Sequence, residues 1–244
     1  MPRYDLDRYT LPELKKLAEK LELPHRRSRT EMAKDIETAF DQYIEYKTEK
    51  LDKYERVRQL GTKGKEGTTY LVRDRNGKEY AMKTFRDGKS SRTLHKEYTL
   101  QKKASKMGIS PKVYDVNTTG KWIVMEKMDC HLYEYMEKKD NILSKKHQDR
   151  IFEIFRKLDE ACVFHNDANF CNYMMKDRKV YMIDYGFAKE ITPALKKQLG
   201  TDTPNQKLML IALVSKLKEK NVPERSYKYL YDRISAKDRE LYKI

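Results

Sequence analysis

Two short stretches carry side chains suited to phosphate chemistry. His165-Asn166-Asp167-Ala168-Asn169-Phe170-Cys171-Asn172 reads H-x-D-x-x-x-x-N, and Met182-Ile183-Asp184-Tyr185-Gly186 is an apolar run ending in D-aromatic-G. Asp167 is an acid that could accept or orient the proton of an attacking hydroxyl. Asn172 and Asp184 offer oxygen ligands for Mg²⁺, which binds through one or two protein oxygens, water and substrate phosphates. A polar turn at Lys176-Asp177-Arg178-Lys179 folds 173–183 back on itself and brings both ligands to one mouth.

Such ligands need a phosphate cradle, and the residues for one lie upstream. Strands expected over 57–60 and 68–72 flank Gly61, Gly64 and Gly67, a hairpin whose backbone N–H groups can approach phosphate oxygens. Asn76-Gly77 is a hairpin signal leading into a strand over 79–85 with Ala81-Met82-Lys83. The pattern predicts a helix over 91–107 whose one acidic residue is Glu97, the sequence-local partner for Lys83. Two further strands are expected over 111–116 and 121–126.

These parts, in this order over residues 54–188, resemble the eukaryotic-type protein kinases. The resemblance implies an α+β, bilobal fold with a five-stranded N-lobe, a reduced helical C-lobe and an N-terminal helical extension. It implies ATP and Mg²⁺ as cofactors, with Asn172 and Asp184 as metal ligands. Gly61, Gly64, Gly67 and Lys83 would hold the phosphates, and Glu97 would pair with Lys83, an ion pair that active kinases keep in place. Residues 123–128 resemble the hinge, with Met125 lining the adenine pocket and Glu126 and Met128 beside the base. Asp167 and Lys83 would be catalytic; His165 would fix the loop without transferring a proton.

Several positions depart from the usual kinase pattern. The glycine loop is one residue longer than G-x-G-x-x-G, and the metal motif is Asp-Tyr-Gly. Asn169 stands in the catalytic loop where many kinases carry a lysine, so it brings a hydrogen bond without a charge to the transferred phosphate. No Ala-Pro-Glu follows Gly186, and a helix-like run begins by Thr203-Pro204. This reduction is similar to the RIO-type kinases and the small kinase of the KEOPS tRNA-modification complex. With no long activation loop to phosphorylate, constitutive activity or control by a partner is expected.

Around this core the expected organisation is a helix–loop–helix over 1–45, a linker over 46–53, the N-lobe and hinge over 54–128 and the C-lobe over 129–244. Thr10-Leu11-Pro12-Glu13 caps a first helix, and a second runs over 30–40 after the basic loop His25-Arg26-Arg27-Ser28-Arg29. That unit resembles a SAP-type DNA-binding module without its usual loop glycine; the alternative is a pair of helices that packs on the kinase. Arg26, Arg27, Arg29 and Lys34 are the DNA-contact candidates, with Lys102, Lys103 and Lys106 as a second cluster. Residues 1–50 hold eleven basic and eleven acidic side chains, so the net charge of +15 lies entirely in 51–244. A basic body of that kind suits nucleic acid or an acidic substrate.

Three cysteines without metal-ligand spacing point to a reducing compartment, cytoplasmic or nuclear, and a virus-associated setting is compatible with that expectation. No apolar membrane span or signal peptide is expected. The expected activity is ATP/Mg-dependent transfer of the γ-phosphate to Ser or Thr of a protein substrate. The alternatives are a KEOPS-kinase-like ATPase acting in an assembly, or a DNA-binding pseudokinase scaffold.

Overall fold

Capped, amphipathic helices and turn-punctuated strands account for most of what the computed structural model contains. It describes residues 6, 9–51, 53–61, 64, 66–140 and 142–244, with the side chains of 41–51 set aside. Residues 1–5, 7 and 8 of the expected extension, Asp52 of the linker and Thr62, Lys63 and Lys65 of the glycine loop lie outside that description.

The N-terminal helices α1 (Leu11–Lys20) and α2 (Arg29–Leu51) fall in the smaller of two compact units, which also takes in Arg73–Gly77. The carboxylate of Glu13 accepts from both the N–H and the hydroxyl of Thr10, each at 2.8 Å, and so closes the first turn of α1. Leu14 and Ala18 pack against Met32 and Ile36 in a small core. The second helix continues well past residue 40, so most of the segment expected as linker is helical.

The kinase-like body is bilobal and α+β. Its N-lobe sheet has the order β1-β2-β3-β5-β4, formed by β1 (Tyr54–Leu60), β2 (Gly67–Asp74), β3 (Glu79–Phe85), β4 (Val113–Asn117) and β5 (Trp122–Met125). Asn76 and Gly77 make the turn before β3: Gly77 has φ +75°, and the Asn76 N–H donates to Asp74 Oδ1 at 2.9 Å. Helix α3 (Ser91–Lys106) is capped by Ser90, whose hydroxyl accepts from the Thr93 N–H at 3.1 Å. Leu94 of α3 packs in the sheet's core and Leu100 and Ala104 in the C-lobe core, so one helix spans both lobes.

Beyond the hinge come β6 (Cys130–His131), α4 (Leu132–Glu137), α5 (Lys145–Glu160) and β7 (Val163–Phe164). The hairpin β8 (Tyr173–Lys176) and β9 (Lys179–Met182) turns through Asp177 and Arg178, both at positive φ, as a two-residue hairpin loop requires. After it come β10 (Lys189–Glu190), which pairs with β7, then α6 (Pro193–Leu199), a π-helical turn (Asn205–Met209), α7 (Leu210–Glu219), α8 (Lys228–Tyr231) and α9 (Ala236–Tyr242). Ile151, Phe155, Leu158, Leu213, Val214 and Leu217 belong to the C-lobe core. Among the described residues, no helix is long and apolar enough to cross a membrane.

Candidate functional site

Lys83 lies on β3 opposite Ile123 of β5. Its ammonium donates to Glu97 Oε1 and to Asp184 Oδ1, both at 2.8 Å, so strand, helix and metal motif meet at one nitrogen. Partial burial in this cluster pulls the lysine's pKa down, but the charges of Glu97 and Asp184 outweigh it and raise the pKa overall. Lys83 is therefore a permanent cation. Asp184 follows the same logic in reverse: burial pushes it up, and the Lys83 ammonium and its hydrogen bond bring it below the usual carboxylate value. Its backbone is left-handed at φ +66°, which turns the carboxylate away from β9 and toward the lysine.

The catalytic-type loop is held from below. His165 is fully buried, with Nε2 3.0 Å from the Ile183 carbonyl and Nδ1 3.1 Å from the Asp167 carbonyl. Burial lowers its pKa, and a neutral imidazole donates to one of those carbonyls at a time. Its ring meets Tyr185 edge-on at 4.9 Å, which ties the loop to the metal motif. The Asp167 carboxylate accepts from the Asn169 N–H at 3.0 Å and from Asn172 Nδ2 at 2.8 Å. Because Asn172 uses its nitrogen toward Asp167, its oxygen is the end suited to a cation. Asn169 spends its side-chain oxygen on the Cys171 N–H at 3.0 Å, an Asx-type turn that shapes the loop.

The three glycines have different surroundings. Gly61 sits at φ +67° with open space around it, and Gly64 donates its N–H to the Gly67 carbonyl at 2.9 Å. At Gly67 a Cβ would lie 2.0 Å from the Thr84 carbonyl, so this glycine is demanded by the neighbouring strand. In the hinge, the Met125 sulfur takes a hydrogen bond from Gln101 of α3 at 3.4 Å, and Met128 is buried. The side chain of Glu126 is engaged within the protein: it accepts from Lys176 at 2.5 Å and from the Lys112 N–H at 3.2 Å, bolting the hinge to β8.

Other residues in the site carried no motif signal. Asn205 is fully buried; its Oδ1 accepts from the His165 N–H at 3.0 Å, and its Nδ2 donates to Asp159 Oδ1 and the Val163 carbonyl, both at 2.7 Å. Burial raises the Asp159 pKa even though Asn205 and Gln206 donate to it. Glu66 and Lys89 join the Lys83–Glu97 pair, and the carboxylates of Glu66, Glu97 and Asp184 come within 4.8 Å of one another. In the N-terminal unit, two of the four basic side chains proposed to meet DNA have internal partners. Arg26 pairs with Asp35 at 2.7 Å, and Arg29 donates to the Tyr9 and Leu6 carbonyls at 3.0 and 3.1 Å.

An ammonium, two flanking carboxylates and an acid beside an amide oxygen form a donor set chemically suited to phosphate oxygens and a hard cation. The protein kinase domain matches residues 54–205. KEOPS complex subunit Bud32 of Pyrococcus abyssi is 31% identical over 119 residues, covering 46% of this chain and 54% of that protein. A probable bifunctional tRNA threonylcarbamoyladenosine biosynthesis protein of Methanosphaera stadtmanae is 28% identical over 134 residues, covering 54% of this chain and 24% of that protein. The chain thus spans about half the length of the first relative and about a quarter of the second. It belongs to the protein kinase domain family, as a small atypical member.

Proposed function

We propose that this chain binds ATP with Mg²⁺ between its lobes and cleaves the terminal phosphate, working as a Bud32-like ATPase or kinase within a protein assembly. The observation that carries this reading is the ammonium of Lys83 shared between Glu97 and Asp184 at 2.8 Å each. In that arrangement the Lys83 cation faces the phosphates while Glu97 keeps it in place. The donor set fits a hard cation, since Asn172 presents an amide oxygen and Asp184 an ionised carboxylate. Bound Mg²⁺ would supply charge neutralisation of the phosphate oxygens. Asp167, pinned by Asn169 and Asn172, orients the attacking water or hydroxyl and takes its proton.

The acceptor side supports the assembly reading over peptide phosphorylation. From Gly186 the chain passes Phe187 and Ala188, pairs with β7 through Lys189 and Glu190, and enters α6 at Pro193. That short path offers little surface to hold an extended peptide. The relatives are named as a KEOPS complex subunit and a tRNA threonylcarbamoyladenosine biosynthesis protein, which favours a protein assembly as the setting. Transfer to Ser or Thr of a protein is the second reading, supported by the intact Asp167 geometry.

Incubation with γ-labelled ATP and Mg²⁺, scoring phosphate release against label on a mixed protein panel, tests both readings. Release without protein labelling is expected. Strong labelling of Ser or Thr with little free phosphate would favour the second reading, and absence of Mg²⁺-dependent nucleotide binding would overturn both.

A further inference from the structure

The connection from β3 to α3, residues 86–90, touches the glycine-rich loop and α3 at once. The Arg86 N–H donates to the Glu66 carbonyl at 3.1 Å, and its guanidinium donates to the Gly64 carbonyl at 3.2 Å. Lys89 Nζ then donates to Glu66 Oε2 at 2.8 Å and to Glu97 Oε2 at 2.5 Å. Glu97 therefore carries one ammonium on each oxygen, Lys83 on Oε1 and Lys89 on Oε2. The side chain of Lys89 is 10% exposed and that of Glu97 is 1% exposed, so water does not substitute readily for either partner.

Two further contacts place this pair inside the site. The ring of Phe85 lies 4.9 Å from the Lys83 ammonium and 4.3 Å from that of Lys89, a common aromatic floor for both cations. The Glu66 carboxylate rests against the metal motif, since a Cβ on Gly186 would come within 2.7 Å of Glu66 Oε2. A buried carboxylate paired on one oxygen alone can swing about its last bond. Paired on both, it is fixed, and the lysine that fixes it also holds the loop.

We propose that Lys89 is a positioning residue for nucleotide turnover: it locks Glu97 toward Lys83 and holds Glu66, immediately before β2, against Gly186. The placement of Glu66 and the orientation of α3 are thereby coupled through one ammonium. The turnover consequence rests on the MgATP reading above; the coupling itself does not.

The test compares Lys89→Met, Lys89→Arg and Glu66→Gln in the full chain, with two readouts. In the free protein, amide exchange in peptides covering 61–68 and 91–100 should rise about tenfold for Lys89→Met in both segments, as expected when a local clamp is released. Glu66→Gln should raise exchange in the loop and leave α3 unchanged. For ATP turnover, Lys89→Met should lower kcat and raise KM, each by about tenfold, and Glu66→Gln should raise KM with a smaller change in kcat. Lys89→Arg, which keeps the charge and both donors, should stay within about threefold of the wild type. If Lys89→Met does not fold, Glu66→Gln and Lys89→Arg decide the matter by the same readouts. Unchanged exchange in both segments, or a lowered KM in Glu66→Gln, would overturn the proposal, the latter by making Glu66 a plug. A wild type that binds no nucleotide would defeat the functional reading instead, and the exchange data would still decide the coupling.

Discussion

Lys83 Nζ and Asp184 Oδ1 stand 2.8 Å apart although 101 positions separate them in the chain. The contact joins the N-lobe sheet to the mouth of the C-lobe hairpin, and it assembles the charges that a triphosphate would meet. Lys83→Met removes the cation and leaves Glu97 and Asp184 facing each other without it. Phosphate release from ATP should fall by about a hundredfold or more, since preorganised charge is the largest catalytic contribution in such sites. A labelled-ATP assay that finds wild-type turnover in this variant would refute the assignment.

Asp184 makes a pH prediction. Its folded pKa is depressed, so its contribution to stability is present above the unfolded value and disappears as pH falls through the folded one. The melting temperature of Asp184→Asn should therefore lie below that of the wild type at neutral pH. The gap should close on acidification below about pH 4, the ordinary range of an aspartate. Thermal melts across that range check this, and a gap that persists unchanged into acid would contradict it.

The glycines of the loop should not be equivalent. Gly67→Ala drives a Cβ into the Thr84 carbonyl at 2.0 Å, so β2 or β3 must shift, at a cost of several kcal/mol. Gly61→Ala meets open space and carries the left-handed penalty of about 1–2 kcal/mol. Chemical denaturation of the two variants should rank them in that order. Equal destabilisation would mean that Gly67 is free of the strand beside it.

Asp159→Asn probes the support beneath the catalytic-type loop. Each carboxylate oxygen of Asp159 accepts two hydrogen bonds, from Asn205 on Oδ1 and from Gln206 on Oδ2. An amide replaces one of these acceptors with a donor, which should cost about 1–3 kcal/mol in this half-buried setting. Because Asn205 also holds the His165 N–H, kcat should drop while KM for ATP stays close to wild type. Steady-state kinetics with denaturation curves separate the two effects, and a change in KM alone would count against this role.

Arg29 supplies a test in the N-terminal unit. Its guanidinium hydrogen-bonds two backbone carbonyls ahead of α1, so Arg29→Ala should lower the stability of this helix pair by about 1–3 kcal/mol. Amide exchange in residues 9–40 reads this directly. Protection unchanged from wild type would return Arg29 to the set of surface cations that could meet a nucleic acid.

Local chemistry explains how much could be read ahead of the structure. Asp167, Asn172 and Asp184 announced themselves by spacing, Lys83 by its strand, and Glu97 by being the one acid in its helix. The turns at Asn76-Gly77 and Asp177-Arg178 follow from residues that tolerate or favour turn backbones, and the start of α1 from the pairing of Thr10 with Glu13. Those are interactions within a few positions, and a chain states them directly.

Tertiary structure decided the partnerships. That Glu97 takes Lys89 as well as Lys83, that Glu66 leans on Gly186, that Glu126 turns to Lys176 and that Asn205 anchors His165 all depend on elements far apart in sequence meeting at hydrogen-bond range. Hydrogen bonds form only within a donor–acceptor window of about half an ångström, whereas residue type says only that a side chain is able to make one. The sequence named Lys83, Glu97, Asp167 and Asp184; the packing of sheet, helix and hairpin added Glu66 and Lys89 and chose which charges touch.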